Sequence, residues 1–387
     1  MRLGGVSYIS ARGRARLPHY QYKGRDRSLF YRYVSSPLCD RLVALLPEWV
    51  APNVITSLGL VVVFAAHFVL YAYAPDLEGS VPSWVCALQA ICSLVYQTLD
   101  NMDGKQARRT GSSSPLGLLF DHGVDAIVVT IGALSMASIT QCGQTWKTLA
   151  LWIAGAVGFY MASWEEYYTG EFDLPPINGP NEGILLLATL QLVTACTGVG
   201  IWRRDSLMTG CENNTLLVVA LVVASFLTTL VNAHAVYRSP RRRHTLRVPF
   251  AAACAKPLPF VALIALAFVW LEVSPRNIMS LHPRLVVWTL GLAFAKLVML
   301  LIVAHMCDEE YHPWRRSMIP IFFMGAHVGY SVLQGVYPRF DEKLVIEELF
   351  LISVLAYFHM VTSLIQDCCE ILDCGCFVIK PKSQKAL

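Results

Sequence analysis

The sequence predicts an all-α integral membrane protein with about ten transmembrane helices and an N-terminal interfacial amphipathic helix. Three observations carry this expectation. The 387 residues are 55% hydrophobic and only 15% charged, where a soluble domain carries about 25% charged residues. The chain contains ten mostly apolar runs, each near the length of about 20 residues that a bilayer-spanning helix needs. Lys and Arg gather on alternate connections between those runs, as they do in membrane proteins of fixed orientation.

In chain order, the segment 29–48 (LFYRYVSSPLCDRLVALLPE) alternates apolar and polar residues at helical spacing. It is expected to lie on the membrane surface. The ten candidate spans are 54–74, 83–99, 116–138, 147–165, 183–202, 215–236, 249–271, 285–306, 317–337 and 346–366. The second and third are interrupted by polar residues at their ends. On one side of the membrane fall nine Lys and Arg before Asn53, then Lys105, Arg108, Arg109, Arg238, Arg241, Arg242, Arg243, Arg247, Arg315, Arg316, Lys380, Lys382 and Lys385. The other side keeps Lys147, Arg203, Arg204, Arg276, Arg284, Arg339 and Lys343. Both termini are therefore expected in the cytosol. No apolar h-region follows Met1, so the first span is expected to direct insertion.

Four regions are expected: a basic tail with the interfacial helix (1–53), a first group of helices (54–237), a C-terminal group of helices (238–366), and a Cys- and Lys-containing tail (367–387). The twelve cysteines are not spaced as a disulfide framework, since several lie inside apolar runs. Cys368, Cys369, Cys374 and Cys376 follow the last span. Juxtamembrane thiols there suit acylation; zinc binding and no special role are the other readings, and the spacing is unlike a zinc ribbon.

The chemistry concentrates in Leu99–Asp125, LDNMDGKQARRTGSSSPLGLLFDHGVD. Asp100, Asp103, Asp121 and Asp125 fall at or near membrane depth, where an ionised carboxylate costs about 2.5–3.5 kcal/mol on insertion scales. Asp100 and Asp103 are three residues apart, Asp121 and Asp125 four apart, so each pair shares a helix face. Two such faces meeting require countercharge. Oxygen-only ligands suit a hard divalent cation, Mg²⁺ or Mn²⁺. Gly104, Ala107 and Gly117 would let a nucleotide approach the backbone. Arg108 offers a planar fork of donors for a diphosphate, and Lys105 a point charge.

The pattern D-x2-D-G-x2-A-R-x8-G-x3-D-x3-D from Asp100 to Asp125 matches the signature of the CDP-alcohol phosphotransferase family at every fixed position. A chance match at a given start is on the order of 10⁻¹⁰. DGKQARRTGSSSPLG, LFDHG, PEWVAPNVITSLGL, SWEEYYTG, INGPNEG and KLVMLLIVAHM closely resemble the eukaryotic choline- and ethanolaminephosphotransferase branch. The resemblance implies a dimeric enzyme of the endoplasmic reticulum or Golgi membrane. It would move phosphocholine or phosphoethanolamine from CDP-choline or CDP-ethanolamine to diacylglycerol or an ether-linked analogue. Two Mg²⁺ or Mn²⁺ ions would be held by Asp100, Asp103, Asp121 and Asp125. Asn53 matches a nucleotide-contacting position. His122 matches the proton acceptor proposed for the branch, and Asp125 the base proposed for the wider family. The chain departs from the branch at Leu118, where a glutamate one turn before the histidine is usual, and at Ser163 in place of histidine. Glu165 or Glu166 is a candidate substitute for that glutamate. The alternatives are a relative with an inositol or glycerol-phosphate acceptor, and a transporter-like protein without catalysis.

Overall fold

The computed structural model describes residues 7–206, 209–239, 242–243, 246–247, 249–274, 277–312, 319–334 and 341–380. Arg2, Arg241, Arg276, Arg315, Arg316, Arg339, Lys382 and Lys385 of the charge count, and the ends of the predicted 317–337 span, lie outside them.

These residues are almost entirely helical. The α-helices are α1 (Ala11–Arg16), α2 (Ser36–Leu45), α3 (Pro52–Tyr73), α4 (Ser83–Arg109), α5 (Pro115–Ile139), α6 (Trp146–Thr169), α7 (Ile184–Thr197), α8 (Asn213–Arg238), α9 (Phe250–Cys254), α10 (Leu258–Val273), α11 (Ile278–Leu281), α12 (Pro283–Met306), α13 (Ile319–Gln334) and α14 (Glu342–Leu372). The only sheets among the described residues are two short pairs. β1 (Gly24–Asp26) runs parallel to β2 (Phe172–Leu174), and β3 (Arg242–Arg243) antiparallel to β4 (Leu246–Arg247).

Among the described residues, five helices are long and apolar enough to cross a membrane: α3, α5, α8, α12 and α14. The other five predicted segments are also helical, but shorter or more polar. The predicted 249–271 run is divided at Ala255–Pro257 into α9 and α10, because Pro257 lacks the N–H that would continue the first helix. α7 stops at Thr197, and Gly198 (φ 79°) turns the chain into a short 3₁₀ segment. The surface segment is helical as expected, with a wide turn at Tyr31–Ser35 leading into α2. Cys39 and Val43 bury its inner face against Ile55 and Met102.

α12 forms the centre: 89% of its apolar window is buried, against 11% for α8. It packs on α5, α6 and α14. α8 turns Phe226, Leu227, Leu230 and Val231 outward, the face expected of a peripheral helix in hydrocarbon. All twelve cysteines are free thiols.

α4 extends ten residues past its predicted end because its polar residues are individually satisfied. Gln97 Nε2 donates to the carbonyls of Pro180 (3.0 Å) and Asn181 (2.9 Å), and Gln106 Nε2 to those of Pro47 and Val50 (both 3.1 Å). Arg109 Nη1 donates to the carbonyls of Val43 and Leu46 (both 2.7 Å). These bonds fasten the surface helix and the 178–183 loop onto α4.

Candidate active site

The turn RTGSSSPLG places the carboxylates. Gly111 takes a left-handed conformation (φ 64°) just past α4, the usual way to stop a helix. Ser114 then caps α5, its Oγ accepting from Gly117 N at 3.2 Å, with Pro115 in the first turn. Two helices leave this short turn. Asp103 lies six residues before the end of α4 and Asp121 six after the start of α5, so each is about 9 Å from the turn at 1.5 Å per residue. Asp100 and Asp125 are one turn deeper. Equal depth on facing helices is what lets two sequence pairs become one cluster.

They do meet. Ligand atoms of Asp100, Asp103 and Asp121 lie within 4.8 Å of one another, and so do those of Asp121, His122 and Asp125. Asp121 belongs to both groups. Asp100 also approaches Asp125. Oδ1 of Asp100, Oδ1 of Asp121 and both ring nitrogens of His122 are buried without a hydrogen-bond partner. Uncompensated buried acceptors are costly, and carboxylates in contact repel. A divalent cation answers both, and the oxygen-rich donor set fits a hard one. Among the described residues, the four tail cysteines do not form a metal-holding group.

α3 lies between the two site helices and packs on both. From it, the buried Thr56 hydroxyl donates to Asp103 Oδ2. Tyr96, one turn before Asp100 on α4 and also buried, donates its hydroxyl to Asp125 Oδ1. Gly59 makes room for that ring: a Cβ there would sit 3.1 Å from Tyr96 Cδ2. The sequence reading missed Thr56 and Tyr96. Their only signal was a polar group one turn from a predicted ligand or cradle residue: Thr56 follows Asn53 and Tyr96 precedes Asp100.

His122 is 5% exposed. Its Nδ1 is 3.3 Å from Asp121 Oδ2, and its ring meets the edges of Phe172 (5.5 Å) and Phe159 (6.2 Å). Phe172 belongs to β2, so the N-terminal strand paired with it helps cover the histidine. Of the two candidate glutamates, Glu166 lies within electrostatic reach of His122. It is buried, with Oε1 3.7 Å from His305 Nε2. Glu165 has Asp173 and Arg27 as its charged neighbours instead. Ser163 Oγ donates to the Phe159 carbonyl at 3.1 Å. Leu118 packs against the main core.

The predicted cradle residues are distributed unevenly. Arg108 is exposed, and its Nη1 would be 3.5 Å from a Cβ on Gly104, so it folds back along α4 toward the aspartates. A Cβ on Gly117 would lie 3.9 Å from Asn53 Oδ1. Ala107 is half-buried on α4. Lys105 is taken up elsewhere: its Nζ donates to Asp40 Oδ1 (2.6 Å) and Ser36 Oγ (2.8 Å) on the surface helix. Asn53 Nδ2 donates to the Cys376 carbonyl at 3.0 Å.

A helical membrane protein with a gathered set of carboxylates below a basic rim is the class this fold and site define. Residues 49–167 match the CDP-alcohol phosphatidyltransferase family. The chain is 35% identical to choline/ethanolaminephosphotransferase 1 of Arabidopsis thaliana, over 97% of this chain and all of that protein. It is 33% identical to choline/ethanolaminephosphotransferase 2 of the same plant, with the same coverage. Ethanolaminephosphotransferase 1 of Homo sapiens is 32% identical over 92% of this chain and 91% of its own length. The chain belongs to the CDP-alcohol phosphatidyltransferase family, and its similarity to these phosphotransferases runs nearly end to end.

Proposed function

We propose that the protein transfers phosphocholine, phosphoethanolamine or both from the CDP-alcohol to diacylglycerol or an ether-linked analogue, releasing CMP. The observation that carries this reading is the convergence of Asp100, Asp103, Asp121 and Asp125, with orphaned carboxylate oxygens, within a complete family signature. The full-length similarity to enzymes named for those two head groups supports the donor class.

The two ligand groups sharing Asp121 support a pair of Mg²⁺ or Mn²⁺ ions. When bound, such ions would neutralise diphosphate oxygens and the charge that grows on the departing nucleotide. Arg108 would hold phosphate oxygen from the rim. Gly104, Ala107 and Gly117 would admit the nucleotide, with Asn53 at its edge and Lys105 serving indirectly by holding the surface helix. The acceptor hydroxyl oxygen forms a bond to the β-phosphorus, and the bond from that phosphorus to the α-phosphate oxygen breaks. His122 Nδ1 is turned to Asp121, which leaves Nε2 to receive the hydroxyl proton. Asp125, with one oxygen engaged by Tyr96, is committed to the metal rather than to proton transfer. Phosphoryl transfer of this kind is mainly positioning and charge neutralisation.

The helices over all ten predicted segments support ten spans; the reading sets both termini and the carboxylate end on the cytosolic face, from the distribution of Lys and Arg, and the membrane as that of the endoplasmic reticulum or Golgi, from the family resemblance. The four predicted regions and a homodimer complete the proposal. Purified protein in lipid nanodiscs should form phosphatidylcholine or phosphatidylethanolamine and equimolar CMP from the matching CDP-alcohol and diacylglycerol. Chelation should abolish both products, and Mg²⁺ or Mn²⁺ should restore them. CMP release that persists at full rate under chelation would overturn the metal reading; absence of both lipids under all conditions would overturn the activity.

A further inference from the structure

The C-terminal turn lies on the nucleotide side of the site. α14 ends at Leu372, Asp373 adopts a left-handed conformation (φ 47°), and the chain reverses. The reversal brings Cys376 and Phe377 back over the starts of α3 and α5. Asn53, 6% exposed, donates Nδ2 to the Cys376 carbonyl at 3.0 Å and reaches its Sγ at 3.5 Å. The Phe377 ring meets Phe120, the neighbour of Asp121, edge-on at 5.6 Å. The turn starts from a fixed point. Asp367, 2% exposed, accepts from Ser7 Oγ (2.7 Å) and Arg14 Nη2 (2.6 Å), so the N-terminal segment pins the end of α14.

The turn itself is held lightly. Phe377 remains half exposed. The Lys380–Asp373 pair is on the surface, where ion pairs contribute little. Cys374 and Cys376 touch the edge of the core, while the two Asn53 hydrogen bonds and the ring edge are contacts of exchangeable strength. They are made to the asparagine and beside the glycine that the donor reading places against the nucleotide.

We propose that residues 373–378 form an autoinhibitory cover that competes with the CDP donor for Asn53. This rests on the reading of Asn53 and Gly117 as the donor's edge of the site. Donor binding requires the cover to lift, so apparent donor affinity is reduced by the fraction of molecules in which it is closed. Two variants test it: a chain ending at Gly375, and full-length Phe377→Ala. Each is assayed across CDP-ethanolamine and CDP-choline at saturating diacylglycerol. The donor KM should fall about fivefold in the shortened chain and about twofold in Phe377→Ala, with kcat unchanged. In the wild-type chain, maleimide labelling of Cys376 should be accelerated by CMP with Mg²⁺. An unchanged or raised donor KM in an active shortened chain, or labelling slowed by CMP, would show the turn to be a wall of the pocket and end the proposal. Phe377→Ala covers the case in which the shortened chain fails to fold. A wild-type chain with no transferase activity would instead remove the donor reading, and the labelling experiment still judges the cover.

Discussion

Arg284 and Asp121 are polar groups at opposite ends of the same packed helices, and their surroundings differ in kind. Arg284 donates to the carbonyls of Ala74 (2.6 Å) and Pro75 (2.8 Å) and to Ser138 Oγ (3.2 Å), contacts His67 Nε2 at 3.2 Å, and covers the Tyr71 ring at 4.9 Å. His67 in turn meets Ser135 Oγ at 2.9 Å. Nearby, Lys147 is bonded to Glu212 and Asn214, and Asn214 to the carbonyls of Thr140 and Gln141. At the carboxylate end, Asp100, Asp121 and His122 keep buried atoms with no partner. A polar group that completes its own bonds holds helices together. One left incomplete in a closely packed interior points to a ligand. Polarity at membrane depth therefore has two meanings here, separated by whether its hydrogen bonding closes within the chain.

Exchanging charge at the two ends should break the comparison if it is wrong. The largest effect is expected for Asp121→Asn, because Asp121 belongs to both ligand groups. Activity should fall by about a thousandfold or more. Thermal stability should stay constant or rise, since a repelling carboxylate is removed. Arg284→Met should do the reverse. It leaves two carbonyls and a histidine without their donor, costing roughly 3 kcal/mol of stability, while kcat/KM at a temperature where the protein is folded stays within about twofold. Loss of stability in Asp121→Asn together with loss of activity in Arg284→Met would erase the distinction.

Between these extremes stand Tyr96 and Thr56, which complete their bonds on the ligands themselves. Residues that orient metal ligands typically affect metal affinity by about 10–100-fold. Tyr96→Phe, keeping the ring against Gly59, should weaken Mn²⁺ binding by about tenfold as followed by titration of the electron paramagnetic resonance signal. Thr56→Val should act similarly through Asp103. Unaltered Mn²⁺ affinity in both would assign these hydroxyls to packing alone.

What could be read in the sequence was whatever is local. Helix-length apolar runs mark the helices, and the spacings Asp100–Asp103 and Asp121–Asp125 put each carboxylate pair on one helix face. The contacts that finish the site join distant positions, such as Thr56 with Asp103 or Asn53 with Cys376, and no periodicity encodes them. Glu165 and Glu166 illustrate the limit. Adjacent helical residues point about 100° apart, so only the packing of α6 determines that the second of them approaches His122. Lys105 shows the same limit: basic charge beside the signature suits phosphate on paper, while the surface helix presents Asp40 and Ser36 to it.

Glu182 offers the finest distinction, since it lies in the loop beside the site yet completes its bonds. Its Oε1 accepts from Ser28 Oγ (2.6 Å) and Phe30 N (3.2 Å), and its Oε2 from Asn178 N (3.1 Å). Burial pushes its carboxyl up, but these donors outweigh burial and hold it below the ordinary carboxylate value. A carboxyl depressed in the folded state contributes order above its unfolded pKa and loses it as pH falls through the folded value. Glu182→Gln should therefore speed amide exchange in residues 24–30 and 172–183 by a few-fold at about pH 7. The difference from the wild-type chain should shrink as pH falls through the depressed folded value, where the glutamate takes up its proton. A difference that persisted in acid would mean that side-chain shape, not charge, fastens the N-terminal strand over His122, and Glu182 would then belong with packing rather than with the bonded end of the comparison.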